Sequence, residues 1–153
     1  PKVITKNEEL ILKAIEVEQQ AIAIYEMECL IFRLTSWSHK RRYILFILQT
    51  ILAEEKSHKH ELVLKMNGQN PAAWRIKWAR FSGFFLGFFL TFLPRPWFWQ
   101  FHSMAEVQAA RIYETTLFKM DAPDEQMRNL LEELSKGEER HAKIFNEHYL
   151  LKI

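Results

Sequence analysis

The sequence predicts an all-α protein: a four-helix bundle with one extra apolar helix in the crossover between the second and third bundle helices. Three observations predict it. Gly and Pro are scarce, four and five in 153 residues, and apolar residues recur at helical rather than strand spacing. Nearly half of the chain is hydrophobic, enough for the core of one domain covering residues 1–153. The strong breaks are few: "TSWSHKRR", "NGQNP", "PRP" and "DAPD" cut the chain into long segments.

The first helix is expected to be capped by Asn7, with Glu8 and Glu9 in its first turn, and to run through Leu34. The second runs from about Lys40 to Met66 and stops at Gly68 and Pro71. An apolar insertion follows at about 72–95, closed by "PRP". The third bundle helix starts at Pro96 or Trp97 and reaches Met120. "DAPD" forms the next turn, with Pro123 at a helix start and Asp124 beside it, and the last helix continues close to Ile153. Short turns within each half imply antiparallel pairs, and the long crossover holds the insertion.

Composition narrows the function. A net charge of +2 gives no basis for nucleic-acid binding, and no nucleic-acid partner is expected. Cys29 is the only cysteine, which excludes an internal disulfide and any zinc or iron–sulfur site built from cysteines. The amino-terminal stretch carries acids and helical periodicity, unlike a secretory signal.

The informative motif is Glu-x-x-His, which puts a carboxylate and an imidazole on one helix face. It occurs twice, as "EKSH" from Glu55 to His58 and as "EERH" from Glu138 to His141. One helix upstream of each copy lies a second match. "EQQAIAIY", Glu18 to Tyr25, and "EVQAARIY", Glu106 to Tyr113, both read Glu-x-x-Ala-x-x-Ile-Tyr. A single Glu-x-x-His on a solvated helix is usually chance; a duplicated one with a duplicated upstream octapeptide is not. One Glu from each of two helices and a Glu-x-x-His pair from each of the other two is the ferritin-like di-iron arrangement. Carboxylate oxygens and imidazole nitrogens together suit iron. The expected metal ligands are therefore Glu18, Glu55, His58, Glu106, Glu138 and His141, holding two iron ions per chain. Glu16 competes with Glu18 and Glu54 with Glu55, and the repeat spacing favours Glu18 and Glu55.

Tyr25 and Tyr113 lie almost two turns after their glutamates and share their face. Each is either a phenol that touches a ligand carboxylate or substrate, or a core tyrosine with a satisfied hydroxyl. His39, His60, His102 and His148 lack the motif and read as surface groups or as support for the ligands.

Phe81 to Leu93 carries no charge and is bracketed by Arg80 and Arg95 and by Trp74, Trp78, Trp97 and Trp99. It is too short for a spanning helix, which needs roughly 17–25 apolar residues. Tryptophan and arginine flanks suit a segment lying in the membrane interface. The other reading is a helix buried against the bundle or in an oligomer interface. The density of Phe and Trp favours lipid or a greasy ligand, with the membrane surface met through about residues 74–99. Gly83 and Gly87 are spaced for close helix packing.

The chain resembles the demethoxyubiquinone hydroxylase family over most of residues 15–145. The resemblance rests on "EQQAIAIY", "AEEKSHKHEL", the apolar segment with "SGFFLGFF", "AEVQAARIY" and "EERHAKIF". It implies a ferritin-like di-iron monooxygenase of ubiquinone biosynthesis, with the same six ligands in the same order. It further implies a prenylated benzoquinol substrate and dioxygen. The expected location is peripheral, on the cytoplasmic face of a bacterial inner membrane or on the mitochondrial inner membrane, with a second copy or an accessory lipid-binding protein as partner. Gln20 replaces the family's glycine before the first-helix alanine, and phenylalanines replace much of its glycine-rich segment. The alternative is a ferritin- or rubrerythrin-like protein that oxidises ferrous iron or removes peroxide. A rubredoxin-type centre is excluded because Cys29 stands alone. A third reading is a non-enzymatic, membrane-associated helical partner that keeps its metal for folding.

Overall fold

A computed structural model describes residues 4–35, 37–66 and 73–151. They form five α-helices and no strand: α1 (Lys6–Leu34), α2 (His39–Lys65), α3 (Ala73–Leu90), α4 (Arg95–Lys119) and α5 (Glu125–Leu151).

The helix ends correct several expectations. The cap of α1 is Thr5, not Asn7: the Glu8 amide donates to Thr5 Oγ1, and the Thr5 amide donates to Glu8 Oε2. This reciprocal pair satisfies two amides that the first turn leaves open. Asn7 instead ties the helix start to the α4–α5 turn: its Nδ2 donates to the Asp121 carbonyl and its Oδ1 accepts from the Asp121 amide. Ser38 caps α2 by accepting from the Arg41 amide. The "NGQNP" stop lies outside the described residues. Pro96 falls in the first turn of α4, where no amide is needed. On α5 the capping group is Asp124, whose Oδ1 accepts from the Met127 amide at 2.7 Å, so Pro123 stands one residue before the cap and outside the helix.

Cross-helix contacts fix the directions. Lys56 meets Glu26 and Lys59 meets Gln19, so α2 runs against α1. Ser103 donates to the Ala142 carbonyl and Ser135 to the Ala110 carbonyl, so α5 runs against α4. His102 meets Glu28 and Lys6 meets Asp121, so α4 also runs against α1. Arg75 meets Glu9 and Gln20 meets Ser82, so α3 lies parallel to α1. Thus α1 and α5 point one way, α2 and α4 the other, and α3 occupies the crossover on the flank of α1.

Two apolar clusters fill the bundle. One holds Leu12, Ile15, Leu62, Tyr113, Leu131 and Leu134. The other includes Tyr25, Leu48, Ile51, Trp99 and Phe145. On each of α1, α2, α4 and α5 the residues singled out as ligands fall between the two clusters in sequence. A polar layer therefore sits between two apolar ones. Trp99 is 1% exposed and belongs to the second cluster, so it is a core residue and not an outward flank of the insertion.

Gly83 and Gly87 seat α3 on α1. A Cβ at Gly83 would lie 2.5 Å from the Gln20 carbonyl oxygen, and one at Gly87 2.6 Å from that of Ile24. Backbone cannot step aside as a side-chain tip can. Gly87→Ala is expected to cost about 1–3 kcal/mol through overpacking, read as a lower urea midpoint with an unchanged slope; an unchanged midpoint would contradict this contact. The opposite face of α3 leaves Trp74, Trp78, Phe81, Phe85 and Phe89 exposed, and Phe92 is exposed in the turn after it. Among the described residues no helix is long and apolar enough to cross a membrane.

Candidate metal centre

The polar layer contains all six residues singled out by the repeat. They form two groups of four donors: Glu18, Glu55, His58 and Glu138, and Glu55, Glu106, Glu138 and His141. Within each group the donor atoms lie within 4.8 Å of one another. Glu55 and Glu138 belong to both groups, so each can present one oxygen to either side. The His58 and His141 rings are 6.0 Å apart between centroids.

Both imidazoles turn Nδ1 toward the carboxylates. His58 Nδ1 is 3.1 Å from Glu138 Oε1 and 3.9 Å from Glu18 Oε1. His141 Nδ1 is 3.0 Å from Glu55 Oε1, 3.7 Å from Glu138 Oε2 and 4.0 Å from Glu106 Oε2. The far nitrogen of His141, Nε2, meets Glu54 Oε2 at 3.0 Å. Glu55 faces the cluster, while Glu54 holds the outer edge of the imidazole, as carboxylates behind metal-bound histidines do. Glu16 is engaged by Arg75, which also binds Glu9, and takes no part in the cluster.

The electrostatics are those of a layer short of positive charge. Burial, then the neighbouring carboxylates, push the Glu18 and Glu106 carboxyls well above the usual range. Burial opposes a charge on Glu138 too, but His141, His58 and Glu106 outweigh it and hold its carboxyl well below the usual range. Burial disfavours charge on His141, yet Glu138 and Glu55 overcome it and push the imidazole up to about 11. Without metal this layer therefore stores protons, and a metal entering it displaces them.

The arrangement fits a metal pair on its own terms. Glu18 Oε2 and Glu138 Oε2 are buried without a hydrogen-bond partner. Buried acceptors left open are costly unless something fills them. An oxygen-rich set with one imidazole per group suits a first-row divalent ion.

No known protein family, curated protein or solved structure matches this chain.

The two tyrosines part company. The Tyr25 hydroxyl donates to Glu106 Oε1, so it touches a carboxylate of the cluster. Tyr113 is fully buried in the first apolar cluster and its hydroxyl has no partner. Reasoning from sequence missed a further buried pair. His102 Nε2 lies 2.9 Å from Oε1 of Glu28, which is 0% exposed. The His102 ring stacks on Tyr25 at 5.2 Å. One signal was available: His102 precedes Glu106 by one helical turn and so shares its face. His148 is also buried, held by Tyr43 and the Ile144 carbonyl, whereas His39 and His60 are exposed.

Beside the cluster lies a cavity of about 260 Å³. Glu18, Glu55, Glu106 and Glu138 reach it, and Ala21, Ile24, Leu86, Phe101 and Ala109 are among the apolar residues that line it. Leu86 belongs to α3, so the apolar helix contributes a wall of the space next to the carboxylates.

Proposed function

We propose that this protein is a ferritin-like di-iron monooxygenase that hydroxylates a membrane-embedded polyprenyl benzoquinol in ubiquinone biosynthesis. The single observation that carries the reading is the pair of four-donor groups sharing Glu55 and Glu138 beside an apolar cavity. The up-down-down-up course of α1, α2, α4 and α5, with one long crossover, supports the ferritin-like assignment. Glu18 and His58 would hold one iron and Glu106 and His141 the other, with Glu55 and Glu138 available to both.

When bound, two irons supply reduction of dioxygen by two electrons from a donor, one oxygen atom going to the ring and the other to water. The chain's own residues do the rest. The four carboxylates balance the metal charge. Glu54 orients His141 from behind, and Tyr25 holds Glu106 in place. The apolar walls exclude water and take a ring-sized group. The cavity sets tail length only loosely, because apolar contacts discriminate weakly between homologues. The exposed aromatic face of α3 suits peripheral contact with a membrane interface, where a substrate with a long isoprenoid tail resides.

The same donors would serve a ferritin- or rubrerythrin-like oxidation of ferrous iron or removal of peroxide, but an apolar cavity at the carboxylates favours an organic substrate. The test supplies reduced quinol and labelled dioxygen to the iron-loaded protein and follows the product by mass spectrometry. Label in the quinol, lost in His141→Ala, is the expected result. Rapid turnover of peroxide or ferrous iron with no labelled quinol would move the assignment to the alternative.

A further inference from the structure

On the flank of α3 away from Leu86 lies a second pocket of about 410 Å³, formed by α1, α2 and α3. Its polar lining is mostly basic: Lys56, Lys59, His60 and Arg80, with Glu26 as the one acid. Glu26 is already engaged by Lys56 at 2.9 Å. Lys59 Nζ donates to the neutral Gln19 Oε1 at 2.6 Å. Among the described residues no carboxylate forms an ion pair with Lys59 or Arg80. These two cations thus share a pocket whose one acid, Glu26, is already paired with Lys56.

The position of the pocket matters as much as its charge. Arg80 is adjacent in sequence to Phe81 and carries its guanidinium 5.4 Å from the Phe84 ring centroid. It therefore sits where the aromatic face of α3 gives way to the basic pocket. A helix whose rings enter the interface brings such a flank to the level of lipid phosphates.

We propose that the Lys59–Arg80 pocket binds the phosphate of an anionic phospholipid headgroup and so fixes how α3 lies on the membrane. This rests on the membrane-surface part of the function proposed above. Arg80 offers a planar fork to phosphate oxygens and Lys59 a point charge beside it. The headgroup holds the protein in one orientation, with the aromatic face down and the metal layer behind α3.

The test is vesicle flotation of the intact iron-loaded protein on neutral phosphatidylcholine and on the same lipid with phosphatidylglycerol added. Wild type should bind both and prefer the anionic vesicles by roughly tenfold or more, since each basic group near such a surface contributes on the order of a fivefold gain. Lys59→Gln/Arg80→Gln should lose most of that preference and keep its binding to neutral vesicles. Lys136→Gln/Lys143→Gln on α5, which packs against α4 and α2, should keep the preference. Retained iron content and far-UV circular dichroism establish that each variant is folded. An unchanged preference in the Lys59/Arg80 variant, or an equal loss in the α5 variant, overturns the headgroup site. Suppression of the preference by millimolar inorganic phosphate at constant ionic strength assigns the pocket to free phosphate and overturns the lipid. Failure of wild type to bind either vesicle overturns the membrane reading itself.

Discussion

Glu138→Ala is expected to empty both iron positions at once. Wild type loaded anaerobically with ferrous iron should hold two ions per chain, and the variant well under one. The reason is that one side chain serves both groups: Oε1 lies 3.1 Å from His58 Nδ1 and Oε2 lies 3.7 Å from His141 Nδ1. Losing it removes an oxygen donor from each side and one negative charge from between two cations. The neighbouring Glu139 is exposed on the same helix, and Glu139→Ala should keep the full iron content. Far-UV circular dichroism separates loss of metal from loss of fold. A variant with two irons per chain would show that Glu138 does not bridge.

His102→Leu should destabilise the metal-free protein by about 3–5 kcal/mol, because it leaves the Glu28 carboxylate buried without its partner. Glu28 lies at 0% exposure and its Oε2 already lacks a hydrogen bond. Replacing both members of the pair, Glu28→Leu/His102→Leu, should restore most of the stability, since apolar side chains of similar size fill such a site well. The pH dependence has a definite sign. Burial raises the folded pKa of Glu28 above its ordinary 4.5, and His102 pulls it back down. Without His102 it rises further. The ionised form is the one the variant cannot accommodate. The deficit is therefore fully present above the folded pKa and fades as pH falls toward the unfolded value near 4.5. Urea unfolding across that range measures it. A deficit that grows on acidification would contradict the account.

The contrast between these two sites explains what the sequence made legible. Glu18, Glu55, His58, Glu106, Glu138 and His141 could be read because a repeat marks them twice at fixed spacing. Chance does not reproduce an octapeptide pattern and a Glu-x-x-His pair in both halves. Glu28 and His102 carry no such mark. They meet through helices α1 and α4, 74 positions apart in the chain, and only the fold pairs them. Trp99 misled for a related reason. Composition groups it with Trp97, but two residues of helix, roughly half a turn, carry it from the exposed face into the core. The long helices were visible in periodicity, while their ends depended on local hydrogen bonds. Thr5 and Glu8 satisfy each other's amides, and Asn7 is drawn away to Asp121, which no pattern within the first helix could reveal.

The same distinction applies to the function. The candidate ligands were legible as chemistry. The apolar segment was legible as a wall of the space beside them, but not which residue reaches it: Leu86 on α3 does so only after Gly83 and Gly87 let that helix settle on α1.

The central claim is that these six residues hold two irons as one unit, and metal stoichiometry combined with electron paramagnetic resonance of the same sample tests it most directly. The protein is loaded anaerobically with ferrous iron, freed of excess and then oxidised with dioxygen. The account predicts two irons per chain and no signal from an isolated high-spin ferric ion, because bridging by Glu55 and Glu138 couples the two spins into a silent pair. One iron per chain with a full isolated-ferric signal, or two irons that both give that signal, would contradict it.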